Sequence, residues 1–343
     1  MTHRSPANAF TFQVVAETAG LFADFSPYVA SINNAGLVAF QAALVRGGSG
    51  IFVGTGAEPT KMDEIGDHGP AGFYSHPDIN EANAVTVYAS VKPGDQGVYR
   101  LGPGGRTAIA ETGGPLVRIG PLGPTMNESG AAAFRADLSS GASGIFLARR
   151  NGSVATVADT AGAYREFHGL PVVTGRDTVV FRADLKDGGQ GVYSAAGDGL
   201  PAAIVDTTGR FADLTSFPGA NDHGVVAFCA RLKSGGAGVF TAIEGRVSAV
   251  IGPDDRFASF RAALINNAGV FVFSATPRGG NLGLFGGPDP VIDKIVAIGD
   301  PMAGSTVEDF AANPVSLNDA GQVAIRIRLA NGRQMIVRAD PRR

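Results

Sequence analysis

At 343 residues, with a net charge of −3 and 17% charged side chains, the chain has no basic run longer than two residues, which excludes an electrostatic footprint for nucleic acid. Its single cysteine, Cys229, excludes an internal disulfide, and no stretch reaches the 18 or more apolar residues of a membrane-crossing helix. The 49 glycines and 20 prolines suit a chain that turns often between short strands.

The first strand-forming run spans residues 10–17. Residues 27–32 then read as an extended stretch ending in the turn Asn33-Asn34-Ala35-Gly36, where asparagine caps the turn and glycine accepts its positive φ. Residues 37–45 form the next strand, the glycine-rich turn at 46–49 leads to a third at 50–53, and residues 60–65 make a fourth. These four strands, A to D from the axis outward, constitute one blade.

The same unit returns down the chain. The glycine of an Asn-x-x-Gly-x-x-Ala-Phe motif, or its replacement, falls at Gly36, Asn83, Gly130, Asp177, Gly224, Gly269 and Gly321, in steps of 47, 47, 47, 47, 45 and 52 residues. A second marker keeps that step: Gly50-Ile51-Phe52, Gly97-Val98-Tyr99, Gly144-Ile145-Phe146, Gly191-Val192-Tyr193, Gly238-Val239-Phe240 and Gly283-Leu284-Phe285. Seven copies near 47 residues predict an all-β fold, a seven-bladed β-propeller with four-stranded blades, occupying residues 1–343 as one domain. On the B strands, trios such as Phe40/Ala42/Leu44 and Phe228/Ala230/Leu232 share one face at period two and belong to the core, with Cys229 a buried inert thiol beside them. The last unit has three strands and lacks its fourth. Residues 10–17 resemble the D strand near 155–159, so the N-terminal strand is expected to complete the C-terminal blade and close the ring.

The repeat resembles the bacterial tandem-repeat proteins named for the Asn-x-x-Gly-x-x-Ala-Phe motif. Residues 33–40, 127–134 and 221–228 match it in full, and 266–273 and 318–325 match in part. The resemblance covers nearly the whole chain; it implies a propeller-like structure and no activity. Many members of that group look secreted and anchored. Here residues 1–6 are followed by no apolar stretch of signal-peptide length, so a cytoplasmic monomer without membrane contact is expected, or a secreted one if a leader has been removed.

Function is sought in the D–A connections, which share a face with the B–C hairpins around the central channel. Residues 67–78 and 163–168 bring three of the five histidines to this rim. The leading expectation is a small-molecule enzyme using acid–base chemistry of the lyase, lactone-hydrolase or cyclase type in the central funnel. His76 and His168 are the expected base and acid, and Tyr74 and Tyr164 the proton donors. Arg118 and Arg165 would anchor a carboxylate, while Asp78, His68, Phe73 and Phe167 complete the substrate surface. A divalent metal on His68, His76 and His168 is an alternative to cofactor-free chemistry, although no His-x-x-x-His, cysteine pair or aspartate-rich loop supports it. The rival reading is a non-catalytic scaffold that binds a ligand or protein. A third has the rim phenylalanines plug the channel. No Gly-x-Ser-x-Gly is present, and the glycine-rich hairpins join strands instead of opening a phosphate-binding helix.

Overall fold

The computed structural model describes residues 10–66, 71–92, 94–253 and 256–342. Their strands fall into seven antiparallel sheets, the blades of a β-propeller. In blade 1 the inner strand comes in two pieces, Phe22–Asp24 and Ser31–Ile32, both paired with Val38–Leu44. Ser49–Gly54 and Thr60–Ile65 follow outward. Blades 2, 3 and 5 repeat this split. In blades 4 and 6 the inner strand is continuous, Tyr164–Val173 and Phe257–Ile265.

The inner strands therefore begin earlier than expected. Residues 163–168, read from sequence as a loop, belong almost entirely to a strand, and so does Phe73 in Gly72–Phe73. The cause is a recurring irregularity. Pairing slips between Phe22 and Asp24, Leu116 and Arg118, Tyr164 and Glu166, and Phe211 and Asp213. Such bulges break the period-two pattern by which a strand is recognised and bend its path.

Closure follows the expectation. Phe10–Glu17 pairs antiparallel with Gln334–Pro341, from Phe10 opposite Pro341 to Glu17 opposite Met335, as the outer strand of blade 7.

Among the described residues, buried apolar side chains form seven clusters, one at each blade-to-blade interface. In four blades the B-strand ring stacks on a C-strand ring: Phe40 on Phe52, Phe134 on Phe146, Phe181 on Tyr193 and Phe228 on Phe240, at 5.5–5.8 Å between centroids. The second sequence marker acquires its reason here. The aromatic ring folds back over the glycine two residues before it, so a Cβ on Gly50, Gly97 or Gly191 would lie 2.6 Å from the ring of Phe52, Tyr99 or Tyr193. Cys229, on the opposite sheet face from Phe228, is fully buried in the interface of blades 5 and 6, with its thiol pushed up to about 12 by burial.

The motif asparagine does more than cap its turn. Asn33 Oδ1 accepts the Leu37 N–H at 3.0 Å, while its Nδ2 donates to the Asn80 carbonyl of the next blade at 3.3 Å. The inter-blade link recurs from Asn127 to Thr174, Asn221 to Asn266, Asn266 to Asn318, and Asn318 back to Asn33. That last bond joins the final blade to the first. Each of these asparagines is buried and hydrogen-bonded on both sides of its amide, as a buried polar group must be.

Candidate functional site

The central channel has two ends of different chemistry. At the level where four of the inner strands are interrupted, positions one repeat apart supply Val29, His76, Gly123, Leu170 and Phe217, and with Tyr28 and Tyr74 these line a cavity of about 250 Å³. Apolar walls with a few convergent polar groups are the usual makeup of a small-molecule site. The polar group that stands out is His76. Only 5% of it is exposed, and a Cβ on Gly123 would fall within 2.5–2.7 Å of its ring, so glycine in the next blade makes room for the imidazole. Burial pushes His76 down to about 4, with the Pro124 carbonyl opposing the shift only in part. The ring is accordingly neutral at physiological pH, and its Nε2 has no hydrogen-bond partner among the described residues. Tyr28 lies beside Tyr74, and burial raises its hydroxyl above the usual range.

The opposite end, beside the A–B turns, is ringed by the residues that follow the motif asparagine. Asn34 N–H donates to Glu81, Glu81 N–H to Glu128, Gly175 N–H to Asp222, Asp222 N–H to Asn267, Asn267 N–H to Asp319, and Asp319 N–H to Asn34. Four carboxylates thus surround this mouth, which continues into a cavity of about 150 Å³. Burial, then the charges of Glu81, Asp222 and Asp319, raise the Glu128 carboxyl. Sequence reasoning missed this ring, although its signal is the 47-residue period itself. It also missed Tyr28.

Of the expected site residues, Tyr74 and His76 line the funnel together. The other described ones do not join them. Phe73 and Phe167 are 3% and 2% exposed and belong to the inter-blade core, because the strand pleat turns them toward a neighbouring blade. Tyr164 packs on Phe167, Phe181 and Tyr193 at 5.1–5.6 Å between centroids. Asp78 is two residues from His76 yet lines the other end of the channel, where its carboxylate accepts the Met126 N–H at 2.7 Å. Arg118 and Arg165 pair with Asp137 and Asp184 across the A and B strands, at 2.6 and 2.7 Å. His168 faces Asp184 at 3.0 Å. The acid–base pair of His76 and His168 is therefore not assembled: one ring serves the funnel, the other a carboxylate within blade 4. His68 lies outside the described residues, and His76 and His168 share no cluster of metal-ligating atoms among the described residues.

The chain belongs to the DUF7453 family, a family of unknown function, whose model matches residues 32–334. No curated protein matches it in sequence. Among solved structures it is similar to the β-propeller domain of the Trilobed protease from Pyrococcus furiosus, with a TM-score of 0.57 at 12% identity, covering 97% of this chain and 95% of that one. Prolyl oligopeptidase B from Galerina marginata and the acylaminoacyl peptidase of Pyrococcus horikoshii each give a TM-score of 0.54 at 12% identity. In both cases 90% of this chain is covered, against 47% and 49% of theirs. At such identities the likeness shows the fold, a β-propeller, and function has to be argued from the site.

Proposed function

We propose that the chain is a ligand-binding propeller that takes a small, largely apolar organic molecule with one hydrogen-bonding group into the funnel. The observation that carries this reading is the buried, partnerless Nε2 of His76 in the wall of an aromatic-lined cavity. A buried polar atom without a partner costs about 1–3 kcal/mol, and a ligand that supplies the partner recovers that energy. Tyr28, Tyr74, Leu122, Leu170 and Phe217 provide the apolar surface.

Binding is favoured over turnover by the chemistry of the ring itself. An imidazole held at about 4 is a weak base at neutral pH, and the expected acid, His168, lies beside Asp184 in blade 4 and does not line the funnel. Phenol and indole are suitable probes, each an aromatic body with one polar hydrogen. In equilibrium dialysis and thermal-shift assays, the parent protein binds one equivalent of at least one probe, and His76→Phe and Tyr74→Ala both weaken that binding. Equal binding by parent and His76→Phe, or none by any of the proteins, would refute the assignment.

A further inference from the structure

Blade 4 departs from the repeat at one place outside the funnel lining. Glu166 lies opposite Asp184 and His168 opposite Arg182 in the A–B pairing, so all four share a sheet face. One ligand atom each from Glu166, His168 and Asp184 lies within 4.8 Å of the others. His168 Nε2 and Asp184 Oδ1 face each other at 3.0 Å, yet neither buried atom completes a hydrogen bond among the described residues. Asp184 as a residue is only 6% exposed.

The equivalent carboxylate one repeat earlier shows what is different. Asp137 Oδ2 accepts from Arg118, as Asp184 Oδ2 accepts from Arg165, and Asp137 Oδ1 accepts from the Ser143 hydroxyl at 2.6 Å. In blade 4 the serine position is Gln190, whose side chain instead accepts the Leu214 N–H of the next blade. By strand pairing, the positions of His168 and Glu166 in blade 3 hold Gly120 and Arg118. Blade 4 has thus removed the hydroxyl that satisfies the second carboxylate oxygen, and has placed an imidazole and a second carboxylate around it.

We propose that Glu166, His168 and Asp184 form a divalent-cation site for Zn²⁺, independent of the funnel ligand. Nitrogen and oxygen ligands at about 2.0 Å around a tetrahedral zinc are roughly 3.3 Å apart, so the observed pair has to open by only a few tenths of an ångström. The exposed Glu166 side chain supplies the third ligand by rotation, and the fourth position stays open to water or a small molecule. Two carboxylates and a neutral imidazole balance the charge of the ion. Arg165, on Asp184 Oδ2 at 2.7 Å, fixes the carboxylate with Oδ1 toward the metal, the role of an outer-shell partner. The nearby cations Arg135 and Arg182 are engaged with the carbonyls of Gly169 and Ser216.

The test is titration of EDTA-treated full-length protein with Zn²⁺ by calorimetry, with Co²⁺ absorption as a second readout. One equivalent binds the parent and His223→Ala alike. His168→Gln and Asp184→Asn weaken it by about 10–100-fold or more, and Glu166→Gln weakens it to a lesser degree. Asp184→Asn also loosens Arg165, so His168→Gln and Glu166→Gln, checked for native circular dichroism, decide the matter. Absence of stoichiometric Zn²⁺ uptake, or one equivalent that survives in His168→Gln, overturns the assignment.

Discussion

Replacing Asp78 by asparagine should stabilise the protein at neutral pH, and the reason lies in the repeat. Ser31 and Thr125 fill the same position one repeat away on either side, where their hydroxyls accept the N–H of Ile79 and Val173. Asp78 does this with Oδ2 toward Met126, but brings a carboxyl group that is 6% exposed. Burial, with a smaller contribution from Glu128, pushes it up to about 8 against the opposing Met126 N–H. The folded state then holds a proton that the unfolded chain releases near 3.8. Stability from this group is complete below 3.8 and is lost as pH rises toward 8. At about 1.36 kcal/mol per pH unit, the loss by pH 7 is on the order of 4 kcal/mol, or about 5 °C in Tm for a chain of this size. His76 acts in the opposite sense. Its depressed value removes stability as pH falls from 6.5 to about 4, so measurements at pH 6.5 and above isolate the carboxyl. Asparagine keeps an acceptor for Met126 and carries no proton to lose. In urea denaturation the parent should lose about 2 kcal/mol relative to Asp78→Asn between pH 6.5 and 8. Parallel stability curves over that range, or a less stable variant, would refute the reasoning.

Three other outcomes follow from the frame. Asn318→Ala removes the cap on Gln322 N–H and the link to the Asn33 carbonyl, and should cost about 2–4 kcal/mol in chemical denaturation, with the buried partners left unpaired. Gly97→Ala places a methyl carbon 2.6 Å from the Tyr99 ring and should cost about 1–3 kcal/mol by the same assay, whereas the open Gly104→Ala should be nearly neutral. Deleting residues 1–17 exposes the Gln334–Pro341 edge, and size-exclusion chromatography should then show aggregation where the parent elutes as a single species.

The fold was legible because its constraints repeat. A glycine two residues before an aromatic, and an asparagine at the A–B turn, each recur in six of the seven blades, so they stand out in one chain without any relative. Blade number and ring closure by residues 10–17 followed from that period. The site was legible only in part. Tyr74 and His76 stand out because they interrupt the pattern, whereas Tyr164 and Phe167 read as loop residues, since bulges in their strand hide the alternation that marks core positions, and Phe73 does so because its strand is only two residues long. Asp78 reads as a partner of His76 for a related reason: the two residues from His76 to Asp78 lead from the funnel cavity to the cavity at the opposite end of the channel, a change that sequence proximity conceals. The acidic ring lay in plain view at the position after each motif asparagine. Its significance depends on neighbouring blades meeting at the axis, a contact between residues 45–52 apart that one unit read alone does not show.

The most direct test of the funnel assignment is the nitrogen-15 spectrum of the histidine side chains, followed through pH and then with added phenol. One imidazole, identified by its loss in His76→Phe, should stay neutral down to about pH 4 and shift its Nε2 resonance when phenol is added. If every histidine titrates near the ordinary 6.5 and none responds to phenol or indole, His76 is neither buried as described nor the group that receives a ligand.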